Sequence, residues 1–247
     1  MTFWPWHREY DKTNASVVTE KDESKLEETL TYIKKPTRMD TNDKEKATAL
    51  VYLQKIICNA ITFGDYAYKT VRRPHSSMSP TLWFLPREYS SEQKYDYKRM
   101  DAPVYLEASK TPFIIYPWNN ERIIDNFETI GNDVNNPFRA DDKNIQNIYV
   151  YPLNIVMCIN GNHSQYSALI KGELQQVKVD AVYNIKKVLH DVKISDEDKL
   201  ESDGSYDFEG SMKKEDPKIL DLFRVGLKLQ EYPDVFPAEI KKIVSQM

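Results

Sequence analysis

Hydrophobic and polar residues recur along the chain in patterns that predict both helices and strands. Helical spacing of apolar residues, opened by residues with capping-box spacing, predicts helices over 24–35 and 42–62. In the second helix the inward positions are Leu50, Leu53, Ile56, Ile57, Ala60 and Ile61, and Gly64 is the expected C-cap. Proline-opened amphipathic patterns predict further helices over 217–231 and 237–247.

Between these regions the pattern alternates between strands and helices. Runs rich in Val, Ile, Phe and Tyr predict strands over 103–108, 111–117, 145–159 (two strands joined near Pro152 and Asn154) and 174–185. A helix is predicted over 119–131, with Ile123, Ile124, Phe127 and Ile130 facing inward, and another over 165–172. This alternation indicates an α+β protein.

The same pattern divides the chain into four regions. We expect an N-terminal helical and irregular region over 1–102, a mixed α/β core over 103–194, an acidic surface loop over 195–216, and C-terminal helices over 217–247 that pack on the core. Residues 89–100 are expected to be a polar, tyrosine-rich surface stretch.

Composition and charge limit the class of protein. The 247 residues are 40% hydrophobic and 29% charged, with no apolar run near the roughly 20 residues that span a bilayer. We therefore expect a cytoplasmic protein that is neither secreted nor bound to a membrane. Cys58 and Cys158 lie in apolar runs, which is typical of two buried, reduced thiols.

A net charge of −4 does not favour nucleic acid as the partner. Basic and tyrosine residues over 72–99 offer a weaker route to single-stranded nucleic acid, but acidic residues are mixed among them. The acidic stretch 196–209 is a candidate contact for a protein partner, although plain solubility explains it as well.

One segment carries candidate chemistry. After an apolar strand, Asn160 and Gly161 predict a tight turn, and Asn162 or Ser164 is the expected N-cap of the next helix. Unpaired N–H groups at such a helix start favour an anion. Catalysis is assigned to His163, and the expected phosphate- or ligand-binding residues are Asn160, Gly161, Asn162, Ser164, Ser167 and Arg139. A capped turn without a ligand is the competing interpretation.

The segment resembles the ParB/sulfiredoxin-like fold and is similar to an uncharacterised bacterial and phage family whose motif reads G-N-H-S. Gly161, His163, Tyr166 and Ala168 match its signature, Gly172 falls where the helix ends, and Val177 and Val179 fit the next strand. The resemblance implies that a nucleotide phosphate, with Mg²⁺, binds at this turn. Ser164 replaces the usual Arg, and Asn162 replaces the reactive Cys of sulfiredoxins, which excludes sulfinic acid reduction.

Besides the weaker nucleic-acid hypothesis for 72–99, two functional hypotheses remain open at this point. The first is a nucleotide- or phosphate-binding protein, with phosphoryl transfer or phosphodiester hydrolysis as its reaction if there is turnover. Arg139, Lys143 or Lys171 would then supply the missing cation, and Glu173, Asp141 or Asp142 would hold a divalent ion. The second is a non-enzymatic phage or bacterial regulator or inhibitor that acts through protein–protein contacts.

Overall fold

The strands assemble into one mixed sheet. The computed structural model describes residues 42–72, 87–88, 96–141, 143–194, 200–202, 206–207 and 217–247, all within the unit Asn42–Met247. The predicted helix 24–35 therefore lies outside the described residues. Within them the sheet has the order β2-β6-β4-β5-β3, and its strands are β2 (Asp96–Glu107), β3 (Phe113–Ile114), β4 (Gln146–Tyr151), β5 (Ile155–Asn160) and β6 (Gln176–Asn184).

Parallel and antiparallel pairs alternate across this sheet. β2 runs antiparallel to β6, β6 parallel to β4, β4 antiparallel to β5, and β5 parallel to β3. The predicted strand pair within 145–159 is confirmed, and its turn contains Asn154 at φ 55°. The central strands are buried on both faces, as expected for a sheet covered by helices.

Helices make up most of the rest of the described chain. They are α1 (Asp43–Ala60), which continues through a π-helical segment Ile61–Ala67 into α2 (Tyr68–Arg72), then α3 (Asn120–Thr129), α4 (Asn162–Ile170), α5 (Lys186–Asp191), α6 (Pro217–Leu229) and α7 (Ala238–Val244). The α+β class is confirmed, and so are the helices predicted over 42–62, 119–131 and 217–231.

The first helix packs into the core through Gln54. This fully buried side chain donates from Nε2 to the carbonyls of Leu153, at 2.8 Å, and Leu222, at 3.1 Å, and so joins α1 to the β4–β5 turn and to α6. Leu50 and Ile57 are buried on the same face, whereas Ile56, predicted to face inward, is 63% exposed. The wide turns of the π-helical segment carry the helix past Gly64, so the expected C-cap there is wrong.

The helical stretch Asp43–Arg72 is long and apolar enough to cross a membrane by length and composition. The sequence analysis did not anticipate a run of this kind. Its inner face is nevertheless part of the core, where α1 packs on α6 and Thr62 Oγ1 accepts a hydrogen bond from the Ile115 N–H at 3.1 Å. The buried face of the stretch, which includes Leu50, Ile57 and Ile61, is therefore part of the protein core.

Two predicted surface stretches contain strands. The stretch 89–100 was expected to be a polar, tyrosine-rich surface segment, and within it β2 begins at Asp96 and pairs with β6, where Tyr97 packs against Tyr183. Within the expected acidic loop, β8 (Leu200–Ser202) pairs with β7 (Val192–Ile194), and β9 (Tyr206–Asp207) pairs with β1 (Arg87–Glu88). Backbone pairing, with distant partners for β2 and β9 and with a near neighbour for β8, overrides the polar composition of both stretches.

Candidate functional site

A cleft of about 480 Å³ opens at the turn between β5 and α4. One wall is the turn itself, over 159–164, with Asn144 beside it, and the other is the first two turns of α3 together with Trp118, two residues before that helix. The lining side chains from the second wall are Trp118, Arg122, Asp125 and Asn126. The starts of two helices therefore meet at one concave surface, where the sequence placed the candidate chemistry.

Position 161 requires glycine because its φ is positive and because its neighbours leave no room for a Cβ atom. Gly161 has φ 80°, and a Cβ there would lie 2.5 Å from Ile145 Cδ1 and 3.0 Å from the Asn144 carbonyl oxygen. The residue is the N-cap of α4 and provides no side-chain cap. The expectation that Asn162 or Ser164 caps the helix is thus wrong, because the helix already starts at Asn162.

The absence of a side-chain cap leaves donors available. The first intrahelical bond runs from the Gln165 N–H to the Gly161 carbonyl at 2.9 Å. The N–H groups of Asn162, His163 and Ser164 make no hydrogen bond within the described part of the chain. All three residues line the cleft, so the helix start presents a set of unpaired donors to it.

Asn162 fixes this helix start to the sheet. Its side chain is only 5% exposed, and its Oδ1 accepts a hydrogen bond from the Tyr116 N–H at 2.8 Å. Tyr116 follows β3, so the bond ties α4 to the parallel neighbour of β5. The side chain thus has a positioning role, while its Nδ2 has no hydrogen-bond partner among the described residues.

His163 lies on the same helix start and is buried. Its Nε2 accepts a hydrogen bond from the Asn119 N–H at 3.1 Å, and its ring packs edge-on against Trp118 with centroids 5.1 Å apart. Burial, with a smaller contribution from the Arg122 charge, lowers the pKa of His163 to about 4. The imidazole is therefore neutral at pH 7, with its proton on Nδ1.

Arg122 supplies the positive charge of the cleft. Its guanidinium lies over the Trp118 ring, 5.2 Å from the centroid, and forms no ion pair with the carboxylates that the structure describes. The sequence analysis named Arg139, Lys143 and Lys171 instead. Arg139 and Lys143 are exposed and do not line the cleft, and Lys171 Nζ binds the carbonyls of Phe127 and Ile130 and the Asp133 carboxylate.

The remaining predicted site residues divide between the cleft and the core. Ser164 is half-buried and lines the cleft, as does Asn160, whose Oδ1 accepts from the Gly161 N–H at 3.0 Å. Ser167 is fully buried and donates to the Asn126 carbonyl at 3.1 Å, so it joins α4 to α3 and does not reach the cleft.

The candidate cation ligands are not brought together at the cleft. Asp141 is exposed, Asp142 lies outside the described residues, and Glu173 accepts a hydrogen bond from the Asn132 N–H at 2.7 Å. Asp125 is the only carboxylate among the lining residues. In the described ranges no group of three His, Cys, Asp or Glu side chains could hold a metal ion.

Comparison with protein families assigns the chain to one of them. The model of a family of unknown function, DUF6710, matches residues 11–225, which include the whole cleft. The chain belongs to the DUF6710 family. No curated protein matches it, and neither does any solved structure. The resemblance to the ParB/sulfiredoxin-like fold therefore stays a prediction.

Behind the cleft, this DUF6710 protein holds α4 in place with a buried amide pair. Asn147 Nδ2 donates to Gln165 Oε1 at 3.0 Å, and Gln165 Nε2 donates back to Asn147 Oδ1 at 2.9 Å. Gln165 also donates to Cys158 Sγ at 3.0 Å. Burial raises the pKa of the Cys158 thiol, and Cys158 and Cys58 are both unpaired and buried, as predicted.

Sequence reasoning missed Trp118, Arg122 and Gln165. The signal for the first two was weak but present: an aromatic residue stands directly before Asn119, which caps α3 by accepting from the Arg122 N–H at 3.0 Å. For Gln165 the signal was a long polar side chain on the inward face of a helix. Such a residue needs a buried partner, and only the fold identifies it.

Proposed function

We propose that this DUF6710 protein binds a nucleotide or another phosphate ligand in the cleft between the starts of α3 and α4. The observation that carries the proposal is the row of unpaired N–H groups at Asn162, His163 and Ser164, which line a cleft that also contains the Arg122 guanidinium. Helix N-termini favour anions through these donors and through the helix dipole.

Arg122 supports the proposal because it supplies the guanidinium that is missing at position 164. The resembled signature has Arg where this chain has Ser164, which removes a bidentate phosphate donor. Arg122 brings a guanidinium to the same cleft from the neighbouring helix. A phosphate held at the start of α4 would therefore meet both backbone donors and one fixed positive charge.

We propose binding rather than turnover. General acid–base catalysis of phosphoryl transfer or phosphodiester hydrolysis works best with a group whose pKa lies near the operating pH. The lowered pKa of His163 leaves its imidazole neutral there, and its Nε2 is engaged by the Asn119 N–H. His163 then acts as a hydrogen-bond donor through Nδ1. Any Mg²⁺ would enter with the ligand phosphates, since Asp125 is the one lining carboxylate.

The cytoplasm is the compartment we propose, because both cysteines are buried free thiols. The alternative function, a phage or bacterial regulator that uses 196–209 as a protein contact, stays a prediction. Most of that segment lies outside the described residues.

The test is a thermal-shift and calorimetric panel of nucleotides and inorganic phosphate, with and without Mg²⁺. A ligand at 100 times its Kd stabilises the fold by about 2.7 kcal/mol. Arg122→Ala should weaken binding by roughly tenfold to a hundredfold, since charged hydrogen bonds contribute about 1.5–3 kcal/mol. Arg122→Lys should retain part of the affinity.

Arg139→Ala is the matched control, because Arg139 is exposed and does not line the cleft. Its binding should equal that of the unchanged protein. The proposal is wrong if no phosphate compound shifts the melting temperature, or if Arg139→Ala weakens binding as much as Arg122→Ala does.

A further inference from the structure

The charge of the cleft side chains is balanced. Arg122 carries the one positive charge among the lining residues and Asp125 the one negative charge, and both lie on α3, three residues apart. Neither forms an ion pair with another described side chain. The one guanidinium and the helix N–H groups can offset a single phosphate group, whereas each further phosphate would add negative charge that no other lining residue offsets.

Two buried side chains add donors that do not depend on the helix dipole. Asn162 and His163 are 5% and 6% exposed, and both line the cleft. Each uses one polar atom inside the protein, Oδ1 of Asn162 and Nε2 of His163. Asn162 Nδ2 and His163 Nδ1 have no hydrogen-bond partner in the described structure. Both atoms are open to the solvent of the cleft, so a ligand acceptor there would replace water as their hydrogen-bond partner.

The α3 wall of the cleft suits the uncharged part of a ligand that contains an aromatic ring. The Trp118 side chain is 38% exposed and lines the cleft beside Asp125 and Asn126. An aromatic surface next to a carboxylate and an amide can stack a base and accept hydrogen bonds from hydroxyl or amino groups. A cleft of about 480 Å³ is within the usual size of small-molecule sites.

We infer that the ligand is a nucleoside monophosphate, with its phosphate at the start of α4 beside Arg122 and its nucleoside against Trp118 and Asp125. This inference rests on the proposed function and sharpens it. The carboxylate at position 125 makes the cleft select against nucleoside triphosphates while it accepts the hydroxyl or amino groups of the nucleoside.

The experiment is isothermal titration calorimetry, without divalent ions, of the full chain with inorganic phosphate, ribose 5-phosphate, four nucleoside monophosphates and ATP. At least one monophosphate should bind about tenfold more tightly than ATP and than inorganic phosphate. Asp125→Asn should tighten ATP binding about threefold to tenfold and tighten monophosphate binding less, so that the preference for the monophosphate narrows. Asp125 is exposed, so this variant should fold.

Glu128→Gln is the control, because Glu128 is an exposed carboxylate one turn further along α3 that does not line the cleft. It should leave all affinities unchanged, whereas Trp118→Leu should abolish the preference for a monophosphate over inorganic phosphate.

If phosphate compounds bind but ATP is preferred, or Asp125→Asn and Glu128→Gln act alike, this inference is overturned and the proposed function survives. If ribose 5-phosphate binds as tightly as every monophosphate, the nucleoside part is wrong. If no compound binds, the proposed function itself fails.

Discussion

The backbone N–H of Asn119 donates a hydrogen bond to Nε2 of His163 at 3.1 Å, and this bond joins the N-cap of α3 to the first turn of α4. Protonation of Nε2 would remove the acceptor and place a positive charge near Arg122. The two helix starts that form the cleft are therefore linked by a bond that depends on a neutral imidazole.

This bond predicts a stability change with pH. The pKa of His163 is lowered from 6.5 to about 4 in the folded protein, so the unfolded chain binds the proton first as pH falls. The free energy of unfolding should therefore decrease as pH is lowered from about 6.5 to about 4, by roughly 2–3 kcal/mol from this residue. Urea unfolding at several pH values measures the change.

His163→Gln is the comparison variant, because its amide oxygen can accept from Asn119 without titrating. In this variant, the free energy of unfolding should lack the decrease between pH 6.5 and pH 4 that His163 causes. Proton NMR of the imidazole provides an independent check. A His163 resonance that titrates near 6.5 would contradict the burial that the structure shows.

Two glycines with similar backbone angles predict different costs of substitution. Gly161 and Gly172 have φ of 80° and 71°, which other residues adopt at a cost of about 1–2 kcal/mol. A Cβ at Gly172 meets nothing within 4 Å, whereas at Gly161 it meets Ile145 and the Asn144 carbonyl. Gly172→Ala should lower the free energy of unfolding only by the cost of placing alanine at a positive φ. Gly161→Ala should cost roughly 1–3 kcal/mol more because of overpacking.

Chemical denaturation of the two variants measures this difference, and phosphate titration shows its effect on the cleft. Gly161→Ala should also weaken phosphate binding, since the Asn162–Ser164 donors follow the distorted turn. Gly172→Ala should bind normally. Equal destabilisation of both variants would show that the contact with residues 144 and 145 does not constrain the turn.

The turn could be predicted from the sequence because its causes are local. Gly161 follows an apolar strand and precedes a helical pattern, so a tight turn was expected there, and Gly161 forms it with φ 80°. The α+β class followed in the same way from the alternating periods of apolar residues. The relation to a ParB/sulfiredoxin-like fold and the phosphate ligand stay predictions.

The opposite wall of the cleft could not be predicted, because its position depends on contacts between distant segments. Arg122 enters the cleft only because α3 packs against α4, and no local pattern distinguishes it from Arg139. Ser167 was named for its nearness to the turn, but one helical turn further on it faces Asn126. Ile124 was expected inside and is 53% exposed, because the buried face of α3 centres on Ile123.

The last prediction concerns the amide pair that supports α4 from behind. Asn147 and Gln165 are both fully buried and exchange two hydrogen bonds, so removal of either amide leaves the carbonyl oxygen of the other without its donor, although each NH₂ group keeps a second acceptor. Asn147→Leu and Gln165→Met should each lower the free energy of unfolding by about 1–3 kcal/mol. The double variant should cost less than the sum of the two, because it leaves neither amide of the pair behind.

Urea unfolding of the unchanged protein, the two single variants and the double variant gives the coupling energy between the two amides. We expect this energy to exceed about 0.5 kcal/mol. Gln146→Met is the control, since Gln146 is the exposed neighbour on β4 and surface substitutions usually change stability by no more than about 0.5 kcal/mol. Additive single costs would mean that the two amides do not depend on each other. In that case α4 would be held mainly by its bonds to Tyr116 and Asn119, and the single variants should leave phosphate binding unchanged.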